Sequence, residues 1–241
     1  MLKQTPARAT ILKITGQVQL ARALAVVVEL GIPDRIGAGA KTATALADEL
    51  DLNADALYRL LRMLAAENIF AEDSAGQFMH TPLSEVLQTH DSESVAALLR
   101  LPWQDVVWAT YGEMLHTVKT GKPAFEKAHG QAFFDFLSAN PSINALFDIS
   151  MALISGPEDA AVAEAFDFGQ FQQIVDVGGG QGGLLAAILT RHRAVKGVLF
   201  DQPQVLTAPR YLTDDLLDRC ELVAGDFFEA LPKGADAYVL K

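Results

Sequence analysis

The sequence predicts a mainly helical N-terminal half followed by an α/β domain with a parallel sheet, and three observations carry that prediction. Up to about residue 165 apolar residues recur at spacings of three and four, the period of one helix face. From Phe171 onward, short apolar runs rich in β-branched residues alternate with helical patterns. The first of those runs leads directly into a glycine-rich turn that opens a helix. Two domains are expected in the 241 residues: 1–165, helical with a winged-helix pattern, and 166–241, the start of a strand–helix alternation.

The N-terminal elements follow in order. From Ile11, the residues Ile14, Val18, Ala21, Ala25 and Val28 form one apolar stripe, and Gly31, Ile32 and Pro33 end that helix. The stripe needs a cover, either the chain itself or a second subunit. Ala43–Leu50 reads as a short helix. Asn53 is placed to cap a second one carrying Leu57, Leu60, Leu61 and Leu64. Extended pieces at 68–71 and Gln77–His80 flank a turn at 73–76. Helices followed by a hairpin make a winged-helix pattern. Its second helix offers only Arg59 and Arg62 as basic groups, so packing and dimerisation are favoured over DNA binding. Residues 84–165 continue as helix, with Trp103, Trp108, Tyr111, Phe125, Phe133, Phe134, Phe136 and Phe147 spread through them. Most of these aromatics are expected in the core, and such a layer beside a ligand domain also lines apolar pockets.

In the second half, strands are expected at 174–177, 195–200, 221–224 and Ala237–Leu240, with a helix at 184–191 and another that 206–210 starts or leads into. This alternation implies right-handed crossovers and a Rossmann-like sheet.

Composition narrows the function classes. The formal net charge is −11 and the pI about 4.8, which opposes broad binding to nucleic acid or anionic membrane. The single cysteine, Cys220, excludes an intrachain disulfide and fits a cytoplasmic setting. Residues 1–10 lack the apolar core of a signal peptide, and the longest uninterrupted apolar run, 23–28, is too short to span a bilayer. His80, His90, His116, His129 and His192 show no metal-ligand spacing, so no metal is expected.

The motif Val-Asp-Val-Gly-Gly-Gly-Gln-Gly-Gly at 175–183 follows a strand and opens a helix, where free N–H groups and the positive dipole end face a ligand. Gly178, Gly180 and Gly183 also satisfy the dinucleotide pattern G-x-G-x-x-G, so NAD is weighed against S-adenosylmethionine. Three acids favour the latter. Asp176, just ahead of the glycines, repels a pyrophosphate but suits the cationic aminoacyl group. Asp201, ending the next strand, accepts from ribose hydroxyls, a feature both cofactors share. Asp226 is placed to accept from the adenine amine while Phe227 covers the ring; the alternatives are a helix cap and ordinary core.

On these motifs the chain resembles the S-adenosylmethionine-dependent small-molecule O-methyltransferases of the plant caffeate and bacterial antibiotic types. The glycine turn with Asp176, the Phe-Asp-Gln-Pro of 200–203 and the Gly-Asp-Phe-Phe of 225–228 carry the likeness, together with the segments 125–130, 133–136 and 147–151. The resemblance covers essentially the whole chain. It implies a class I methyltransferase domain behind a dimerisation domain, hence a homodimer. It implies cofactor contacts from Gly178, Gly180, Asp201, Asp226, Phe227 and Lys241, and substrate-lining roles for Trp108, Phe147 and Met151, which ordinary packing explains equally well. The implied reaction is in-line methyl transfer to a hydroxyl deprotonated by a histidine.

The departure is at the end: the family's catalytic histidine follows the position of Lys241 by a few residues, and none of the five histidines occupies it. The sequence reading therefore expects an incomplete sheet, no catalytic base within these residues, and an inactive 241-residue chain. Two further readings stay open: an inert scaffold or dimerisation partner, and an S-adenosylmethionine-binding relative with another activity such as hydroxylation or decarboxylation.

Overall fold

A computed structural model describes residues 5–91, 93–207 and 209–241; residues 1–4 of the leader reading and Ala208 of the expected 206–210 helix lie outside them. The chain divides into two compact units, residues 1–133 and 134–241.

In the first unit, helix α1 (Pro6–Glu29) starts where Thr5 Oγ1 accepts from Arg8 N at 3.3 Å and Pro6 supplies the first turn. It ends at Gly31, which sits in the left-handed region. Only its C-terminal half is buried, through Ala23, Ala25, Val27 and Val28. Ile11, Leu12, Ile14 and Val18 are all more than half exposed. The apolar stripe is therefore real but not covered over its first turns by the described residues. By length and composition α1 is also apolar enough to cross a membrane, although its longest unbroken apolar run is short.

After α2 (Ile32–Ile36) come β1 (Lys41–Thr42), α3 (Ala43–Leu50) and α4 (Ala54–Ala66). Thr42 Oγ1 caps α3 through Ala45 N, and Asn53 Oδ1 caps α4 through Ala56 N, the second as expected. Strands β2 (Phe70–Glu72) and β3 (Gln77–His80) form the hairpin, its turn closed by Asp73 Oδ1 accepting from Ala75 N and Gln77 N. With β1 they make an antiparallel sheet in the order β1-β3-β2. Leu57, Leu61, Leu64, Phe70 and Phe78 centre the core. Arg59 and Arg62 are engaged by acids of the same unit, Asp55 at 3.3 Å and Glu72 at 3.2 Å. Short helices follow: α5 (Pro82–Glu85), α6 (Ala96–Arg100), α7 (Asp105–Gly112), α8 (Met114–Thr120) and α9 (Ala124–His129), then α10 (Phe133–Ala139) at the division.

The second unit carries α11 (Pro141–Ala165), β4 (Gln173–Val177), α12 (Gly183–Arg191), β5 (Lys196–Asp201), α13 (Asp214–Leu217), β6 (Cys220–Ala224) and β7 (Ala237–Leu240). The sheet is parallel throughout, in the order β6-β5-β4-β7. Alternation along the strands sorts the core onto two faces. Ile174 and Leu199 join Leu185, Ile188 and Leu189 of α12, while Val175, Val177, Val198 and Phe200 form a smaller cluster.

The described residues within 206–210 form no helix and lead into α13, where Thr213 followed by Asp214 and Asp215 supplies the start. The compact units meet at 133/134, and α11 packs along α12.

Candidate functional site

The second unit holds a cleft of about 590 Å³ at the C-terminal ends of its strands. Strand ends are where an open parallel sheet leaves room for a ligand.

The turn after β4 forms the floor. Gly179 has no space for a side chain: a Cβ there would lie 2.5 Å from Leu199 Cδ1 and 2.6 Å from the Asp176 carboxyl carbon. Gly180 adopts a left-handed φ of +56°, which turns its N–H toward the neighbouring strand end. Asp201, closing β5, accepts there: Oδ2 from Gly180 N at 2.8 Å and Oδ1 from Gln202 N at 2.7 Å. A carboxylate is thus held at the lip with lone pairs left over.

Asp226 follows β6, and its Oδ1 accepts from Phe228 N at 2.8 Å in a turn at 227–229; no helix follows it among the described residues, so the helix-cap alternative does not hold. The ring of Phe227 lies beside Gly178, 3.5 Å from where a Cβ would be, and remains 44% exposed, so a flat apolar face is available to a ligand. Asp176 is 2% exposed, and its Oδ2 is buried with no hydrogen-bond partner among the described residues. Burial, then Asp159, pushes its carboxyl up to about 7.

Lys241, at the end of β7, donates to Asp159 Oδ1 at 2.6 Å and to the Ser155 carbonyl at 3.0 Å, with Glu158 at 3.5 Å. Its ammonium is thus turned to α11. Phe147 and Met151 line the cleft; Trp108 belongs to the other unit, where it packs on Trp103 and Tyr111.

Sequence reasoning named Phe147 and Met151 of α11 but missed the polar residues beside them. Asn144, Asp148, Ser155 and Asp159 also line the cleft from α11. Their spacing of four and seven puts these polar residues on one helix face, and that pattern was the available signal. Burial and the charge of Asp201 raise the Asp148 carboxyl, while Asn144 Nδ2 donates to it at 3.1 Å. Among the described residues, six carboxyl groups, Asp148, Glu158, Asp159, Asp176, Asp201 and Asp226, line the cleft against one ammonium, Lys241. Such a field attracts a cation and opposes a pyrophosphate.

Cys220 is buried, and burial raises its thiol to about 11, so it stays protonated and inert. Among the described residues no three metal-ligating side chains come together.

The chain thus has a helical unit of winged-helix pattern and a unit whose parallel sheet carries an acidic, glycine-floored cleft at its strand ends. The chain belongs to the O-methyltransferase family: the O-methyltransferase domain matches residues 111–241, and the O-methyltransferase dimerisation domain matches residues 12–90. It is 38% identical over 229 residues to a mitomycin biosynthesis 6-O-methyltransferase of Streptomyces lavendulae, covering 92% of this chain and 64% of that protein. The fold is similar to the mitomycin 7-O-methyltransferase MmcR, with TM-score 0.90, 37% identity, and 98% and 70% of the two chains covered. It is also similar to NcsB1, an O-methyltransferase from neocarzinostatin biosynthesis solved with S-adenosylmethionine and 2-hydroxy-5-methyl naphthoic acid: TM-score 0.77, 32% identity, 91% and 68% covered. The chain thus spans about two thirds of the length of these relatives.

Proposed function

We propose that the protein transfers a methyl group from S-adenosylmethionine to a hydroxyl of a small, aromatic or secondary-metabolite molecule. The observation that carries this is the trio Asp176, Asp201 and Asp226 at successive strand ends around a glycine floor that admits no Cβ at Gly179. The unpartnered Oδ2 of Asp176 is a place where a donor belongs.

In this reading Asp201 accepts from the ribose hydroxyls and steadies the turn through Gly180. Phe227 covers the adenine, and Asp226 accepts from its amine. Asp176 faces the ammonium end above Gly178 and Gly180, with Lys241 holding α11 closed through Asp159. Phe147 and Met151 present apolar surface to the acceptor; Trp108 is proposed for the same role. The cofactor supplies an activated methyl on a sulfonium, and these residues supply alignment and exclude water. Homologues made of antibiotic-biosynthesis enzymes support the secondary-metabolite class. The protein is also proposed to be a cytoplasmic homodimer, on its dimerisation domain and the uncovered face of α1.

Calorimetry with S-adenosylmethionine, S-adenosylhomocysteine and NAD tests the reading, followed by transfer of labelled methyl to a panel of phenols and hydroxy acids. Binding of the first two ligands is expected. Binding of NAD alone would overturn the assignment.

A further inference from the structure

Asp176 sits on β4 with its side chain on the helix-covered face of the sheet, the face it shares with Ile174. Every element packed around it brings a group of stated charge. From α11 comes Asp159, itself buried, and from the end of β5 comes Asp201; both are acids that oppose a second negative charge. From the end of β7 comes Lys241, whose ammonium is spent on Asp159 at 2.6 Å. From β6 comes the Cys220 thiol, which is neutral, and from α12 the Leu185 N–H, which steadies the ionised form. Gly179 lies close against the carboxyl, and Asp176 is itself among the residues that line the cleft.

An ionised carboxylate here would leave Oδ2 buried, unpartnered and beside like charges, a costly arrangement. A proton on that oxygen relieves it, and so does a cation. We propose that, in the cleft assigned above to S-adenosylmethionine, the ligand's ammonium group replaces a proton on Asp176, so that cofactor binding releases one proton and tightens as pH rises. The exchange balances: the neutral carboxylic acid gives its proton to solvent as the already cationic ammonium takes its place against the carboxylate. The carboxyl of Asp176, raised to about 7, is still largely protonated in mildly acidic solution, where an α-amino group is also fully charged. The aminoacyl half of the cofactor, and not its nucleoside half, then carries the whole pH dependence, so Asp176 acts as a selector for ligands with a cationic head. This inference rests on the proposed cofactor.

The test is calorimetry between pH 5.5 and 6.5 in buffers of different ionisation enthalpy, which counts protons released. The probes are S-adenosylhomocysteine and 5′-methylthioadenosine, a nucleoside without the aminoacyl group. S-adenosylhomocysteine should release most of one proton and bind about tenfold more tightly at the upper pH, as linkage of one proton requires. Methylthioadenosine should release none. In Asp176→Asn the affinity for S-adenosylhomocysteine should lose its pH dependence; if that variant does not fold, the comparison of the two ligands on the unaltered protein still decides. Binding of S-adenosylhomocysteine without proton release, or equal release by both ligands, overturns the inference and leaves the cofactor assignment standing. Failure of both ligands to bind at any pH overturns the two together.

Discussion

Asp176 shows how burial turns one side chain into a pH-dependent quantity for the fold itself. An unfolded aspartate ionises near 4. In the folded chain the same carboxyl is raised to about 7, first by burial and then by Asp159. Between those values the folded state keeps a proton that the unfolded state has lost. The contribution to stability is therefore complete below about pH 4 and is lost as pH rises toward 7. Asp176→Asn should remove that slope. Urea unfolding of both proteins from pH 4 to 7.5 should show the variant gaining roughly 2 to 4 kcal/mol relative to the parent, from 1.36 kcal/mol per pKa unit. Parallel curves would contradict the burial argument. Asp201 is a different case, because both its oxygens already accept backbone N–H groups. Asp201→Ala should lower affinity for S-adenosylhomocysteine on the order of ten- to a hundredfold, the scale of hydrogen bonds to a charged group. Unchanged affinity in calorimetry would remove Asp201 from the proposed ribose site.

The turn between β4 and α12 works as an element through contact as well as backbone freedom. At Gly179 a methyl group meets Leu199 and the Asp176 carboxyl at distances real Cβ atoms do not reach. Gly179→Ala should therefore cost about 1 to 3 kcal/mol through overpacking and displace the carboxyl from the cleft. Gly39→Ala, with nothing within 4 Å of the added atom, is the matched control. Thermal melts of the two variants, with S-adenosylhomocysteine titrations, should separate them; equal melting points would refute the packing account. Helix α11 makes the same point. Its stripe of Asn144, Asp148, Ser155 and Asp159 is unexplained by core packing and becomes intelligible once it faces the strand ends.

At the scale of the whole molecule, the exposed Ile11, Leu12, Ile14 and Val18 form an apolar face on α1 that the chain leaves in water. Burying such a face is favourable by about 25 cal/mol per Å², and the dimerisation domain containing it supplies the occasion. Sedimentation at micromolar concentration should give twice the chain mass for the parent and the chain mass for Val18→Asp. A parent sedimenting as a monomer would count against the proposed homodimer, and a dimeric variant would locate the interface elsewhere.

What the amino-acid order determined by itself was local. Thr42 and Asn53 cap their helices, Asp73 and Gly76 turn the hairpin, and β-branched runs alternate with helical ones to make a parallel sheet, because capping, turn and periodicity act over a few residues. The three acids at strand ends were legible for the same reason: each stands next to a motif that marks where its strand stops. The tertiary structure alone decided where the chain divides, since only packing of α11 on α12 assigns that helix to the second unit. It alone turned Lys241 to Asp159 and left Asp176 Oδ2 without a partner, because those facts depend on groups some eighty residues apart or on what fails to arrive. Burial is set by every neighbour at once, and no short stretch of sequence contains them all.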